Sequence, residues 1–123
     1  MYEAKSQGGD ACIVPETHIR ERLERRVSIH RDLMSAIARG EIGLHYQPIM
    51  RVSDCSLVGV EALARWTHPK YGAIDPAEFI EIAEASRHII AFGEYVMRQA
   101  CTDMLAWMTE FGQTVRLSVN VSP

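Results

Sequence analysis

Four polar residues of types that bind metals and phosphates lie in or beside the strand-like segments of this chain. Glu61 and Arg65 are four residues apart in one segment, so both side chains project from the strand face that carries Leu63. Gln47 lies in the preceding segment, and Asn120 ends the last one. A carboxylate and an amide oxygen are hard ligands that suit Mg²⁺ or Mn²⁺, and a guanidinium binds a phosphate through two hydrogen bonds. These residues therefore favour a site for a metal ion and a phosphate.

Spacing alone leaves a plainer interpretation open. A Glu–Arg pair on a strand commonly forms a salt bridge, and an Asn at the end of a strand is commonly a turn residue. Among the five histidines, His45, His68 and His88 fit neither helical nor hairpin ligand spacing. The sequence also lacks a nucleophile elbow, a Walker phosphate loop and a GxGxxG motif.

A β-hairpin is predicted in the middle of the chain. Residues 43–52 and 57–66 are β-rich runs, and the polar turn 53–56 separates them. Pro48 cannot donate a ladder hydrogen bond, so the first strand is predicted to be bulged or to lie at an edge there. A loop is predicted to follow over residues 67–74.

A long amphipathic helix is predicted over residues 16–39, before the hairpin. Gly40 is the expected end of this helix, because glycine tolerates the left-handed conformation of a C-terminal cap. The mixed arginines and glutamates are interpreted as a solvated face and not as a nucleic-acid patch. The face predicted to be buried consists of apolar residues at three- and four-residue spacing, namely Ile19, Leu23, Val27, Leu33, Met34 and Ile37.

A shorter helix is predicted to begin at Asp75-Pro76. Asp75 can cap the helix, Pro76 suits its first position, and Glu78 completes the spacing of a capping box. The helix is predicted to reach Ser86, and Gly93 is predicted to separate it from a second helix.

The second helix and a final strand complete the predicted order of elements. Residues 115–121 alternate between apolar and polar side chains, as a strand does. A strand that follows helices after an earlier strand favours parallel α/β packing. Three strands would leave both sheet edges open to pairing with other chains. The stripe of the second helix that is predicted to lie in the core comprises Met97, Cys101, Met104, Leu105 and Met108.

Composition restricts the class of protein. The chain has 123 residues, 47% of them hydrophobic, which suits one modest globular domain. A formal net charge of −3 argues against a nucleic-acid polymer as partner. No apolar run approaches the roughly 18 residues of a membrane span, and the first residues are not a signal peptide. Three widely spaced cysteines predict reduced thiols, without structural zinc or a disulfide framework, in a cytoplasmic protein.

Several motifs in one order resemble the opening of the EAL domain. They are LHYQPI at 44–49, EALARWTHP at 61–69, IDPAEFI at 74–80 with Ala83-Glu84, and VNVS at 119–122. This resemblance implies an α/β fold, the N-terminal part of an EAL-type modified TIM (β/α) barrel, preceded by a long connector helix. The family comprises cyclic di-GMP phosphodiesterases that need Mg²⁺ or Mn²⁺.

The resemblance also implies a division of the chain into three parts. Residues 1–14 are similar to the C-terminal end of a GGDEF (diguanylate cyclase) domain. Residues 15–40 resemble the connector helix between GGDEF and EAL domains, and residues 41–123 the N-terminal portion of an EAL domain. The GGDEF signature loop is absent, so no cyclase activity is expected from this chain.

The family's roles transfer onto matching residues of this sequence. Glu61 and Asn120 would be metal ligands, while Gln47 and Arg65 would contact cyclic di-GMP, Arg65 through a phosphate. The implied reaction is hydrolysis of one phosphodiester bond by metal-activated water, which gives linear pGpG. Residues expected to shape the pocket near base and ribose are Leu63, Pro76 and Phe79.

The family's later catalytic residues lie beyond Pro123. These are a further glutamate ligand, paired aspartates, a lysine and a final glutamate, and neither Lys5 nor Lys70 is in the lysine's place. Negligible turnover by this chain alone is therefore expected. The alternatives are a degenerate EAL module that binds cyclic di-GMP or a protein partner without catalysis, and a connector helix that pairs with itself. Open strand edges further predict aggregation or a homodimer.

Overall fold

The computed structural model describes residues 16–120, which form four strands and three helices. The GGDEF-like segment 1–14 lies outside the described residues, as does the end of the predicted strand 115–121. The elements in chain order are α1 (Glu16–Ala38), β1 (Ile42–Met50), β2 (Leu57–His68), β3 (Gly72–Ile74), α2 (Pro76–Ala85), α3 (Ile89–Phe111) and β4 (Arg116–Val119).

Strand β2 lies at the centre of one mixed sheet. It pairs antiparallel with β1 along almost its whole length, which confirms the predicted hairpin. Its other side pairs with two strands, because Glu61 lies opposite Ser118 of β4, and Trp66 lies opposite Ile74 of β3. Between these two contacts, within the described chain, residues 63–65 have no strand partner on that side. The sheet therefore has an opening beside the middle of β2.

The prediction for the hairpin was right at Pro48 but partly wrong for residues 67–74. The register of β1 shifts between Ile49 and Met50, directly after Pro48, as expected for a proline-containing strand at the sheet edge. The predicted loop at 67–74 was partly wrong, since β2 continues to His68 and Gly72–Ile74 forms the antiparallel strand β3. Gly72 takes a positive φ of 68° in this tight connection, a conformation that glycine adopts without strain.

Helix α1 ends as predicted but buries a different face. Gly40 has a φ of 70°, and the amide of Glu41 donates to the carbonyl of Ala36 over 3.0 Å, which is a Schellman cap. The fully buried residues are Ile29, Leu33 and Ala36. The predicted apolar stripe was therefore wrong in its first half, where Ile19, Leu23 and Val27 are 49%, 59% and 64% exposed.

Helices α2 and α3 meet at a short turn and not at Gly93. Arg87 adopts a left-handed φ of 61° and turns the chain between them, whereas Gly93 lies inside α3. The buried face of α3 is formed by Phe92, Val96, Ala100 and Met104. Of the predicted stripe only Met104 is fully buried, while Met97, Cys101 and Leu105 are exposed.

The core lies between one sheet face and all three helices. Trp66 packs edge-on against Phe79 with ring centres 5.8 Å apart, and Phe79 packs in the same manner against Phe92. Side chains from the sheet and α1, such as Ile42 and Leu33, fill the remaining space. This core fixes the position of α2 and α3 relative to β2.

Candidate active site

Glu61 occupies the middle of a row of polar residues across three strands. It pairs with Gln47 of β1 on one side and with Ser118 of β4 on the other. Cross-strand neighbours lie on the same face of a sheet, so these three side chains share one face. Asn120 follows β4 directly, and its Nδ2 donates to Glu61 Oε1 over 2.8 Å. The structure thus brings together the two predicted metal ligands, which are 59 positions apart in the chain.

Arg65 lies on the same strand face as Glu61 but does not pair with it. Its NH1 group donates to the carbonyl of Ala64 over 2.9 Å, and its side chain is half-buried. Among the described residues, Glu61 bonds to Asn120 and forms no salt bridge with Arg65. The plainer interpretation of these two residues as a strand salt bridge is therefore not the arrangement that the chain adopts.

A cavity of about 770 Å³ opens beside the unpaired stretch of β2. Its strand wall includes Leu63 and Arg65, its helix wall includes Pro76 of α2, and Asn120 also lines it. This volume is typical of sites that bury a small-molecule ligand. Most of the remaining lining is apolar, with isoleucines at 80, 89 and 90. The cavity can accept a flat apolar or aromatic group on its wall and an anionic group at Arg65.

Two of the predicted contact residues lie outside this cavity. Phe79 is fully buried with 0% of its surface exposed, and it supports the helix wall from behind without lining the cavity. Gln47 is exposed on β1, one strand away from the cavity, although it shares the polar row with Glu61. Direct contact between Phe79 and a ligand in the cavity is therefore incompatible with its burial.

Sequence reasoning missed the contribution of α3 to the cavity. Glu94 places a carboxylate in the lining and pairs with Arg98 at 3.1 Å. Ile89, Ile90 and Gly93 line the same wall. The signal in the sequence was the apolar pair Ile89-Ile90, which helix periodicity alone does not distinguish from core residues. Only the packing of α3 against α2 and β4 places this pair at the cavity.

The donor set at Glu61 and Asn120 fits part of a site for a hard cation. A carboxylate and an amide oxygen are ligands that Mg²⁺ and Mn²⁺ accept. However, the described residues contain no group of three or more His, Cys, Asp or Glu side chains that could hold an ion. One carboxylate and one amide are an incomplete ligand set, so further donors would be needed for firm binding.

The histidines have structural partners. His68 is buried, accepts a hydrogen bond from the Lys70 amide at Nδ1, and has Nε2 3.2 Å from Asp32 Oδ2. His88 stacks on His30 with ring centres 5.7 Å apart. Both contacts connect α1 to the rest of the chain and lie apart from the cavity lining.

Comparison with known proteins decides the family. The EAL domain model matches residues 30–123 of this chain. The chain belongs to the EAL family. This confirms the predicted resemblance and the predicted fold class, an α/β opening portion of an EAL-type barrel. The match begins inside α1, close to Ile29, where the buried part of that helix starts.

Two curated relatives are similar over all or nearly all of this chain but are much longer. An uncharacterized signaling protein of Caulobacter vibrioides is 38% identical over 123 residues, 100% of this chain and 15% of the relative. The bifunctional diguanylate cyclase/cyclic di-GMP phosphodiesterase MucR of Pseudomonas aeruginosa is 34% identical over 122 residues, 99% of this chain and 18% of MucR. The chain thus spans less than a fifth of the length of these relatives.

Two solved structures share the fold of this chain over the matched residues. The MucR phosphodiesterase in complex with c-di-GMP matches with a TM-score of 0.72 and 37% identity, over 77% of this chain and 38% of that one. The EAL enzyme Bd1971 in its cGMP-bound form matches with a TM-score of 0.66 and 26% identity, over 83% of this chain and 30% of its own.

In the described part of the chain, no helix is both long and apolar enough to cross a membrane.

Proposed function

We propose that this chain forms the first part of the active site of a phosphodiesterase that hydrolyses cyclic di-GMP to linear pGpG. The observation that carries this proposal is the 2.8 Å contact between Glu61 and Asn120, because Asn120 lines the same cavity as Arg65. Relatives named as cyclic di-GMP phosphodiesterases support the same conclusion at the level of the family. Because the chain covers only part of those relatives, the activity belongs to a complete EAL domain.

The proposed roles follow from the chemistry and position of each residue. Glu61 and Asn120 would hold Mg²⁺ or Mn²⁺, to which the rest of the domain would add further donors. When bound, the ion supplies Lewis acidity, which lowers the pKa of water and offsets negative charge on the phosphate. Arg65 would bind a phosphate oxygen of the dinucleotide, because it is a cationic residue of the cavity lining.

The remaining contacts concern the position of the nucleotide. Leu63 and Pro76 both line the cavity and would contact base and ribose by apolar packing. Gln47, which lies beside Glu61 in the polar row, would donate a hydrogen bond to the nucleotide. Phe79 would act indirectly, because it fixes α2 against Trp66.

A second candidate function is nucleotide binding without hydrolysis. It is favoured by one observation, namely that the cavity and Arg65 need no metal ion to accept an anionic ligand, whereas Glu61 and Asn120 supply only one carboxylate and one amide for an ion. A degenerate EAL module of this kind would bind cyclic di-GMP without turnover. Measurement of hydrolysis and binding on the same protein distinguishes the two functions.

A chimera with the MucR phosphodiesterase tests the proposal in a complete domain. The MucR residues that match this chain are exchanged for residues 16–120, and hydrolysis of cyclic di-GMP is measured with Mn²⁺. We expect formation of linear pGpG, and a loss of at least ~100-fold on Glu61→Gln, since a carboxylate ligand of the ion is removed. We expect Arg65→Gln to raise KM, because the phosphate loses its charged partner.

The matched control is Glu84→Gln, which removes an exposed carboxylate from α2 outside the cavity lining. Turnover by this variant should equal that of the unsubstituted chimera. A folded chimera that binds cyclic di-GMP but does not hydrolyse it would favour the binding module. A folded chimera that neither binds nor hydrolyses it would overturn both functions.

A further inference from the structure

Helix α1 is anchored to the sheet far more firmly than a free connector would be. Its residues Ile29, Leu33 and Ala36 have no exposed surface. Asp32 contacts the buried His68 at the end of β2, and Trp66 Nε1 donates to Glu41 just after the helix. These contacts fix the C-terminal half of α1 relative to β2, the strand that carries Glu61.

Arg25 lies one turn before Ile29 in α1. Its side chain contacts two residues, Glu78 and Tyr71, on either side of the segment that leads into α2. Its Nε donates to Glu78 Oε1 over 3.0 Å and its NH2 to Glu78 Oε2 over 2.9 Å, which is a bidentate ion pair. Its guanidinium carbon also lies 5.1 Å from the ring centre of Tyr71. Tyr71 precedes β3 and Glu78 lies in the first turn of α2, so Arg25 holds both ends of the segment 72–77.

The end of that segment begins the α2 wall of the cavity. Pro76, the first residue of α2, lines the cavity, and Ile80 lines it one turn later, outside the segment. The capping box predicted for Glu78 does not form, because its carboxylate is bonded to Arg25 while Asp75 alone caps the helix through the Ala77 amide at 2.8 Å. Glu78 is thus used for fixing α2 to α1.

We propose that Arg25 is a positioning residue for the nucleotide cavity, which through Glu78 and Tyr71 sets the position of the α2 wall formed by Pro76 and Ile80. The proposal rests on the proposed function for the identity of the ligand but not for the position of the wall. Arg25 and Glu78 are 35% and 30% exposed, so the pair is partly shielded from solvent. Displacement of α1 would therefore change the cavity without touching Glu61 or Asn120.

Methyl NMR of the full 123-residue chain tests the position of the wall. The Ile80 methyl resonance is compared between the unsubstituted chain, Arg25→Gln, Glu78→Gln and the double variant. We expect each single substitution to shift Ile80, and the double variant to match either one, because both remove the same ion pair. The control Arg20→Gln removes an arginine of the same helix whose partner, Glu24, is exposed and belongs to α1 itself, and it should leave Ile80 unchanged.

Rescue distinguishes positioning from general destabilisation. Arg25→Lys keeps the charge but loses the two-pronged geometry, so its Ile80 shift should lie between those of the unsubstituted chain and Arg25→Gln. If Arg25→Gln does not fold, the milder Arg25→Lys and Glu78→Gln variants decide the question. An Ile80 resonance that is unchanged in them, or that moves equally in Arg20→Gln, would overturn the proposal.

Titration of the MucR chimera and its Arg25→Gln variant with cyclic di-GMP measures the functional consequence, because the proposed site is complete only in a whole EAL domain. We expect the affinity of Arg25→Gln to fall about fivefold, which is the scale of a partly exposed ion pair. If the unsubstituted chimera does not bind the nucleotide, that result counts against the proposed function alone. The Ile80 comparison without nucleotide then still decides the role of Arg25. Equal affinities in the two proteins would overturn that role.

Discussion

The Nδ2 group of Asn120 lies 2.8 Å from Oε1 of Glu61, although the two residues are 59 positions apart. The contact exists because β4 pairs parallel to β2 with Ser118 opposite Glu61, which brings the end of β4 beside the middle of β2. Two residues predicted to be ligands of one ion therefore meet on one sheet face.

Hydrolysis of cyclic di-GMP by the chain on its own depends on how many metal ligands the chain supplies. We expect the purified 123-residue chain to hydrolyse cyclic di-GMP at a negligible rate with Mn²⁺, because Glu61 and Asn120 alone hold a divalent ion weakly. The measurement is formation of pGpG over hours at high protein concentration. Turnover that disappears on Glu61→Ala would contradict this prediction.

Replacement by alanine should lower the free energy of unfolding more at Phe79 than at Leu63. Phe79→Ala should lower the free energy of unfolding by about 3–5 kcal/mol, because this ring is fully buried between Trp66 and Phe92. Leu63→Ala removes a half-buried side chain of the cavity, so it should cost less stability and should raise KM in the MucR chimera. Urea unfolding at low protein concentration measures the first effect. An equal loss of stability in both variants would show that Leu63 belongs to the core.

The carboxylate of Asp32 should make stability depend on pH in the acid range. The guanidinium of Arg31 and the hydrogen bond with His68 lower the pKa of Asp32 from 3.8 to about 2, against an opposing effect of burial. A pKa that is lower in the folded state gives stability that is present above about pH 4 and is lost as the pH falls to about 2. After allowance for solvent screening, this contribution is about 1–2 kcal/mol.

Asp32→Asn tests this pH dependence. Urea unfolding between pH 7 and pH 2 should show a smaller acid-induced loss in the variant than in the unsubstituted chain. Asp75→Asn is the matched control, because asparagine caps a helix about as well as aspartate. If the two variants have the same pH profile, Asp32 does not carry the effect.

The exposed apolar residues of α3 should cause self-association. Met97 and Leu105 are 42% and 64% exposed on one side of the helix, and Cys101 lies between them. Exposed apolar patches of this kind favour association between copies. Sedimentation at micromolar concentration should show dimers or larger species, which Met97→Glu with Leu105→Glu should reduce. Thr102→Glu, on another side of α3, should not reduce them. A monomeric unsubstituted chain would refute the prediction.

Local features of the fold were predictable because their causes are close in sequence. The turn at 53–56 sets the hairpin, Gly40 ends α1 with a positive φ, and Asp75-Pro76 starts α2. Each of these depends on backbone preferences of a few neighbouring residues. The division of the chain at residues 14 and 40 stays a prediction.

The buried faces of the helices were not predictable, because each long helix carries two neighbouring apolar stripes. In α1 the stripe at Ile19, Leu23 and Val27 is exposed, and the buried stripe lies roughly 110° around the axis. Helix α3 shows the same relation, with the exposed stripe roughly 120° from the buried one. A periodic pattern identifies apolar positions, but the elements that cover them come from elsewhere in the chain.

The sequence by itself determined the family, the kinds of elements and the residues able to bind a metal and a phosphate, because residue types and short spacings carry that information. Tertiary structure alone decided that Glu61 meets Asn120, that Glu78 pairs with Arg25 instead of capping its own helix, and that Phe79 lies behind the cavity. These outcomes depend on contacts between residues more than 50 positions apart or on burial. Strand pairing and core packing determine such contacts, and no local preference encodes them.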